Sequence, residues 1–250
     1  MPPNYQRVKN TQIMKLWTYQ HPAVLKRLLA GKRYVVPKRA YPPNHWQNAY
    51  VWVREKMNKQ GIAVGANNPI WAWHSVGRLY GKPDADCANA LLSGMELERG
   101  VVTLELQVPD DLALLSHYGE WNELMHALFD QTAYDPELED ACFAVDLAPR
   151  RGRPSRSFND IQACLPFIEP EWLIDWEVLD LEAMMLESHH QTIEYIAAQR
   201  LSGKMSADSL AGLARLEEWS NKNVGHIRRV KRRNVFLQKY FSKNSKPSNQ

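Results

Sequence analysis

The sequence predicts a mixed α+β fold, a compact mixed sheet with flanking helices, followed by a C-terminal helical extension. Two observations carry this expectation. Short β-rich or alternating runs at residues 15–19, 70–74 and 100–108 lie between stretches of helical spacing, without a regular strand–helix repeat. From about residue 182 to 241 the pattern turns helical. The expected organisation is a flexible start over 1–14, an α+β domain over 15–181, a basic helical extension over 182–241 and a disordered tail over 242–250.

Each element has its own signal. The β-rich run at 15–19 is followed by His21 and Pro22, a residue suited to open a helix. Val24, Leu25, Leu28 and Leu29 recur at helical spacing, and Gly31 stands where the C-cap belongs. Pro37, Pro42 and Pro43 mark a loop before a second helix, about 45–58, in which Tyr50, Val53 and Met57 share a face. Residues 61–69 are turn-rich, and 70–74 has the length of a strand. Alternation over 100–108 marks the clearest strand; Pro109, Asp110 and Asp111 then read as an acidic helix start, with Leu112, Leu114 and Leu115 behind it. Glu169, Pro170 and Glu171 form a turn signal between 159–165 and 172–179.

Composition excludes several classes. Apolar content of 44% and charged content of 24% are those of an ordinary globular chain. No apolar run has the length of a membrane span, and residues 1–7 lack the apolar stretch of a secretory signal. Cys87, Cys142 and Cys164 show no metal-ligand spacing, so a reduced, cytoplasmic protein without disulfides or a metal is expected. The net charge of +3 hides an asymmetry: from Trp219 onward there are nine Lys or Arg and no acids, leaving 22 bases against 28 acids, or −6, in the rest. A basic end on a slightly acidic body suits a polyanion, a solvated helix face, or an acidic protein partner.

Two Trp-bearing segments, 16–20 (Leu-Trp-Thr-Tyr-Gln) and 68–74 (Asn-Pro-Ile-Trp-Ala-Trp-His), fit either an aromatic core or a cleft lined for a flat, polar-edged ligand. Together with a strand running into Val-Pro-Asp-Asp (104–111) and Gly-Glu-Trp-Asn (119–122), they resemble an uncharacterised bacterial family, domain of unknown function 3841. Ile-Gln-Ala at 161–163 and Glu-Trp-Leu at 171–173 are similar to that family's closing segment, giving coverage of about 14–181.

The order of a strand with a small polar residue, a helix, a Gly and a long loop is also similar to ADP-ribosyltransferase-like domains. That resemblance implies NAD as substrate, held in the α+β domain, with Thr18 at the nicotinamide ribose and Trp71 or Trp73 stacking on nicotinamide. Trp17 and Tyr50 join the cofactor-binding set. Gln162 stands where those domains carry Glu, and glutamine cannot act as a general base, so the base falls to Glu105, Glu169 or Glu171, with Glu169 first for its nearness to Gln162. Trp17, Thr18, Trp71, Trp73 and Gln162 are therefore expected to converge on one cleft, Thr18 and Gln162 within about 10 Å of each other.

Other residues complete the set of candidates. Arg150, Arg151, Arg153 and Arg156 form a charged loop whose guanidinium groups suit phosphate. Arg228, Arg229, Lys231, Arg232 and Arg233 are expected to contact a polyanion while Val224, Ile227, Val230, Val235 and Leu237 pack inward, because no acid beyond Glu218 is left to pair with them. Glu187, His190 and Glu194 share a helix face, read as exposed and polar. His74 beside Trp73 fits either a catalytic role or a strand-end histidine. Three classes of function remain. The first is an NAD-dependent ADP-ribosyltransferase-like enzyme, a toxin or phage-defence effector acting on nucleic acid or protein. The second is a non-catalytic binder of nucleic acid such as RNA. The third is a module docking on an acidic antitoxin or chaperone. The first is the expected function.

Overall fold

In the computed structural model, which describes residues 12–36, 47–76, 81–130, 132–145, 147, 160–179, 182–201 and 206–244, the sheet and the helical extension both form. The strands are β1 (Ile13–Gln20), β2 (Ile70–Ser75), β3 (Val102–Pro109), β4 (Leu114–His117), β5 (Ile161–Leu165) and β6 (Leu173–Val178). They lie in the order β4-β5-β2-β1-β3-β6, and β1–β2, β2–β5 and β4–β5 pair antiparallel. The helices are α1 (Pro22–Leu29), α2 (Gln47–Lys59), α3 (Ala85–Leu91), α4 (Gly94–Arg99), α5 (Tyr118–Asp130), α6 (Pro136–Phe143), α7 (Glu182–Leu201) and α8 (Ala207–Asn244).

The chain groups into two units. The first takes the described residues within 1–19, 26–83 and 104–176; the second takes those within 20–25, 84–103 and 177–250. In the first unit the sheet is packed on an aromatic core. Val53 and Met57 of α2, Trp121, Leu124 and Met125 of α5, Cys142 of α6, and Leu114 and Cys164 of the sheet are buried together. Trp52, Trp71, Tyr134 and Phe143 pack against them. Each such side chain removed from water contributes roughly 1.5–3 kcal/mol, and the indole N–H groups find partners: Trp52 Nε1 donates to Tyr134 Oη, and Trp71 Nε1 to Tyr50 Oη, both at 3.1 Å.

In the second unit α7 and α8 pack along each other. Arg200 pairs with Glu217 at 2.5 Å, Lys231 with Glu182 at 2.8 Å, and Asn234 Nδ2 donates to the Leu179 carbonyl at 3.0 Å. A capping box starts α4: the Ser93 hydroxyl accepts from the Glu96 N–H, and the Glu96 carboxylate accepts from the Ser93 N–H. Gly100 caps its end at φ 89°, a left-handed position favouring glycine.

Three expectations need correction. Asp110 and Asp111 open only a 3-10 turn, Asp110–Leu112, and the leucines that follow form strand β4. Pairing with β5 (Leu114 with Cys164, Leu115 with Ala163) outweighs the local helix signal. β1 begins at Ile13, inside the stretch expected to be flexible. α8 continues to Asn244, past the expected start of the disordered tail; residues 245–250 lie outside the described residues.

Candidate functional site

Paired residues in a sheet point to the same face, and neighbours along a strand to opposite faces. Trp17 pairs with Trp73, and Trp73 with Gln162, so these three share a face. Thr18 follows Trp17 in β1 and therefore stands on the other face. It is fully buried and donates from Oγ1 to the Trp71 carbonyl at 2.6 Å. Gln162 is also buried, donating from Nε2 to Ser116 Oγ at 3.0 Å. The expected meeting of Thr18 and Gln162 in one cleft does not occur, because the sheet itself separates them.

The other residues expected to hold NAD are engaged in packing. Trp71 meets Trp121 with ring centroids 4.9 Å apart and Tyr50 edge-on at 6.1 Å. Trp73 is buried against Tyr118 at 5.0 Å. Glu169 forms an ion pair with Arg33, whose guanidinium lies 4.2 Å from the centre of the Phe167 ring. The carboxylate ranked first as a base is thus held by a structural contact.

Of the expected aromatic set, Trp17 lines a cleft among the described residues. Gln12, Ile13, Lys15, His74 and Asp110 are among its other walls, and its volume is about 410 Å³. Lys15 and Trp17 stand two residues apart on one face of β1, and both reach Glu105 of β3. Lys15 Nζ lies 2.6 Å from Glu105 Oε1, and Trp17 Nε1 donates to Oε2 at 3.0 Å. The Lys15 ammonium holds the Glu105 carboxyl below its usual range, and the Trp17 N–H adds to this against the opposing effect of burial. Burial lowers the pKa of His74, whose Nδ1 lies 3.4 Å from Ser75 Oγ. The register shift between Trp73 and Ser75 falls at this histidine. Lys15, Gln12 and Asp110 were not among the residues expected from sequence. The Lys-x-Trp spacing of β1, which places both on one face, was the available signal.

In the second unit α8 has two distinct faces. Val230, Asn234 and Phe241 are buried and Leu237 is half-buried, at the spacing of one helix side. Arg229, Arg232, Phe236, Lys239, Tyr240 and Lys243 follow the same spacing on another side, all exposed except the half-buried Tyr240. Phe236 is 64% exposed and stacks on Tyr240, with centroids 6.2 Å apart and an interplanar angle of 24°. Val235, expected inside, is exposed. Lys231 is paired with Glu182 of α7, an acid far back in sequence, and Arg233 turns toward the interior and is only half-exposed. Arg151, Arg153 and the side chain of Arg228 lie outside the described residues. Among the described residues no cluster of three metal-ligating side chains occurs, and no helix is long and apolar enough to cross a membrane.

An α+β protein with an antiparallel sheet over an aromatic core, and an open cleft beside a sheet tryptophan, is the class these features define. Residues 15–143 match the profile of the family described as Domain of unknown function (DUF3841), and the chain belongs to that family. The match takes in the Trp17, Trp71–Trp73 and Trp121 segments and ends before the 161–173 segment. No curated protein and no solved structure matches the chain.

Proposed function

We propose that the protein binds single-stranded nucleic acid through the exposed face of α8. The observation that carries this reading is the stacked Phe236–Tyr240 pair standing among Arg229, Arg232, Lys239 and Lys243. Cations neutralise phosphates and release counterions, while ring faces accept bases of any sequence. A face serving solubility alone gains nothing from an exposed phenyl ring between its charges.

The test is fluorescence anisotropy of a labelled single-stranded oligonucleotide over a range of salt. Affinity falls with salt, and Arg229→Gln with Arg232→Gln flattens the slope by up to roughly 0.7 log units per lost phosphate contact. Unchanged affinity and slope in that double variant would assign the face to an acidic protein, such as an antitoxin or chaperone.

The Trp17 cleft supports a second reading, NAD binding with ADP-ribosyl transfer. Its volume falls in the range of small-molecule sites, its indole is fixed by Glu105, and Lys15 offers charge to a phosphate. Transfer breaks the nicotinamide–ribose bond, nicotinamide leaving with the bonding pair, and joins the ribose anomeric carbon to the acceptor, whose proton passes to a base. Asp110, the carboxylate among the cleft's walls, supplies that base, and Thr18 and Gln162 act only by supporting the sheet. Calorimetry with NAD, on the wild type and on Trp17→Ala, tests this; absence of NAD binding by the wild type removes it.

A further inference from the structure

The second unit brings two guanidinium groups and an imidazole into one neighbourhood. α4 ends at Arg99, and Gly100 turns the chain where α8 and the start of α1 approach closely. A Cβ at Gly100 would lie 3.2 Å from Leu237 Cδ1, 3.3 Å from Arg233 Cδ and 3.6 Å from Pro22 Cγ. The absence of a side chain at Gly100 therefore lets Arg233 and Pro22 approach the chain at the residue that follows Arg99. His21 Nδ1 accepts the Ala23 N–H at 3.1 Å, which leaves Nε2 to carry the imidazole proton as a donor. Burial, then the charges of Arg99 and Arg233, lower the His21 pKa, so both guanidinium groups act on this ring.

The decisive atom is Arg233 Nη1. It is buried and has no hydrogen-bond partner among the described residues. A guanidinium nitrogen carries N–H donors that are costly to leave without an acceptor once water is removed. Neither Arg99 nor Arg233 is paired with an acid among the described residues. Two guanidinium groups and an imidazole donor, with no carboxylate paired to either guanidinium among the described residues, match a tetrahedral dianion, whose oxygens accept several charged hydrogen bonds at once.

We propose that His21, Arg99 and Arg233 form a binding site for a phosphate group. The occupant is a phosphate monoester or free phosphate, either from solution or as the 5′ end of a nucleic-acid strand. The site uses none of the residues of the exposed α8 face, so it stands or falls independently of the nucleic-acid reading.

The experiment uses the full chain with two probes, inorganic phosphate and a pair of short oligonucleotides that differ only in a 5′-phosphate or 5′-hydroxyl. Calorimetry at constant ionic strength, with chloride as the control anion, reads the first; competition anisotropy reads the second. Saturable one-to-one phosphate binding is expected, weakened about tenfold or more by Arg99→Gln and by Arg233→Gln. Arg99 is exposed, so its variant reports on the site even where Arg233→Gln perturbs folding. A preference for the 5′-phosphate strand that both variants abolish identifies a strand end as occupant; phosphate binding without that preference identifies a free phosphate compound. The proposal is overturned if neither probe gains over its control, or if the gain survives in Arg99→Gln and Arg233→Gln alike. Loss of 5′-hydroxyl strand binding concerns the α8 face alone.

Discussion

Aromatic side chains in the two units meet opposite fates. In the first unit Trp52, Trp71 and Trp121 interlock with ring centroids 4.9–5.8 Å apart, and the Trp52 and Trp71 N–H groups are bonded to tyrosine hydroxyls. In the second unit Phe236 and Tyr240 stack on each other at the surface, between cations. In the first group Trp121 is buried, and the partly buried Trp52 and Trp71 have their N–H groups bonded within the protein, so these rings are engaged in packing. The second offers ring faces and charge together. What marks a binding surface is an uncovered ring beside matching charge, and the number of tryptophans in a segment does not.

The largest effect expected from this contrast is chemical. Cys142 lies within the aromatic core, where burial, with a smaller effect of Glu120, pushes its thiol up to about 12, and burial raises Cys164 well above its ordinary value. A rise from 9.0 to about 12 leaves roughly a thousandfold less thiolate at Cys142. A thiol reagent at pH 8 should therefore modify Cys87 in the native protein, and Cys142 and Cys164 only after unfolding. Fast modification of all three in the folded state would show that the core is open.

Next in size is stability. Trp121→Ala removes a ring that touches both Trp52 and Trp71 and should cost about 3–5 kcal/mol in chemical denaturation. Phe236→Ala should leave stability within about 0.5 kcal/mol, since the ring it removes is already in water. The same Phe236→Ala variant should weaken single-strand binding by about 1–3 kcal/mol per stacked base lost. A Phe236→Ala protein with a lowered midpoint and unchanged binding would reverse the assigned roles of the two aromatic groups.

The smallest effect is a pH dependence at the Trp17 cleft. Burial depresses the folded pKa of His74 below its ordinary 6.5, so the folded state binds fewer protons than the unfolded chain there. The histidine's contribution is present above the unfolded value and is lost as pH falls through the depressed folded value. Thermal midpoints of wild type and His74→Gln between pH 8 and 5 should show the variant with the shallower decline. Parallel declines would mean that His74 is hydrated and the cleft wider than described.

Much of the fold was legible because the deciding signals are local: alternation in β3, Pro22 and Gly31 around α1, and the long helical pattern of α7 and α8. β4 was not, because four residues become a strand there only by pairing with β5, far along the chain in the Leu115–Ala163 pair, and that non-local contact overrides the local propensity. The separation of Trp17 from Thr18 was legible in principle, since adjacent strand residues cannot enter the same cleft. The partial burial of Trp71 was not, because it depends on the docking of α2 and α5. In α8 the density of positive charge was evident, whereas its partition between Lys231, paired to a distant acid, and the exposed Arg232 depends on α7.

The exposed face of α8 also sets a ruler. A helix rises about 1.5 Å per residue, so the distance from Arg229 to Lys243 is about 21 Å. Stacked bases are spaced about 3.4 Å along one strand, and that length corresponds to about six nucleotides. Affinity should climb steeply as an oligonucleotide lengthens to this footprint. Beyond it, each added base contributes only another overlapping register, and the gain becomes statistical.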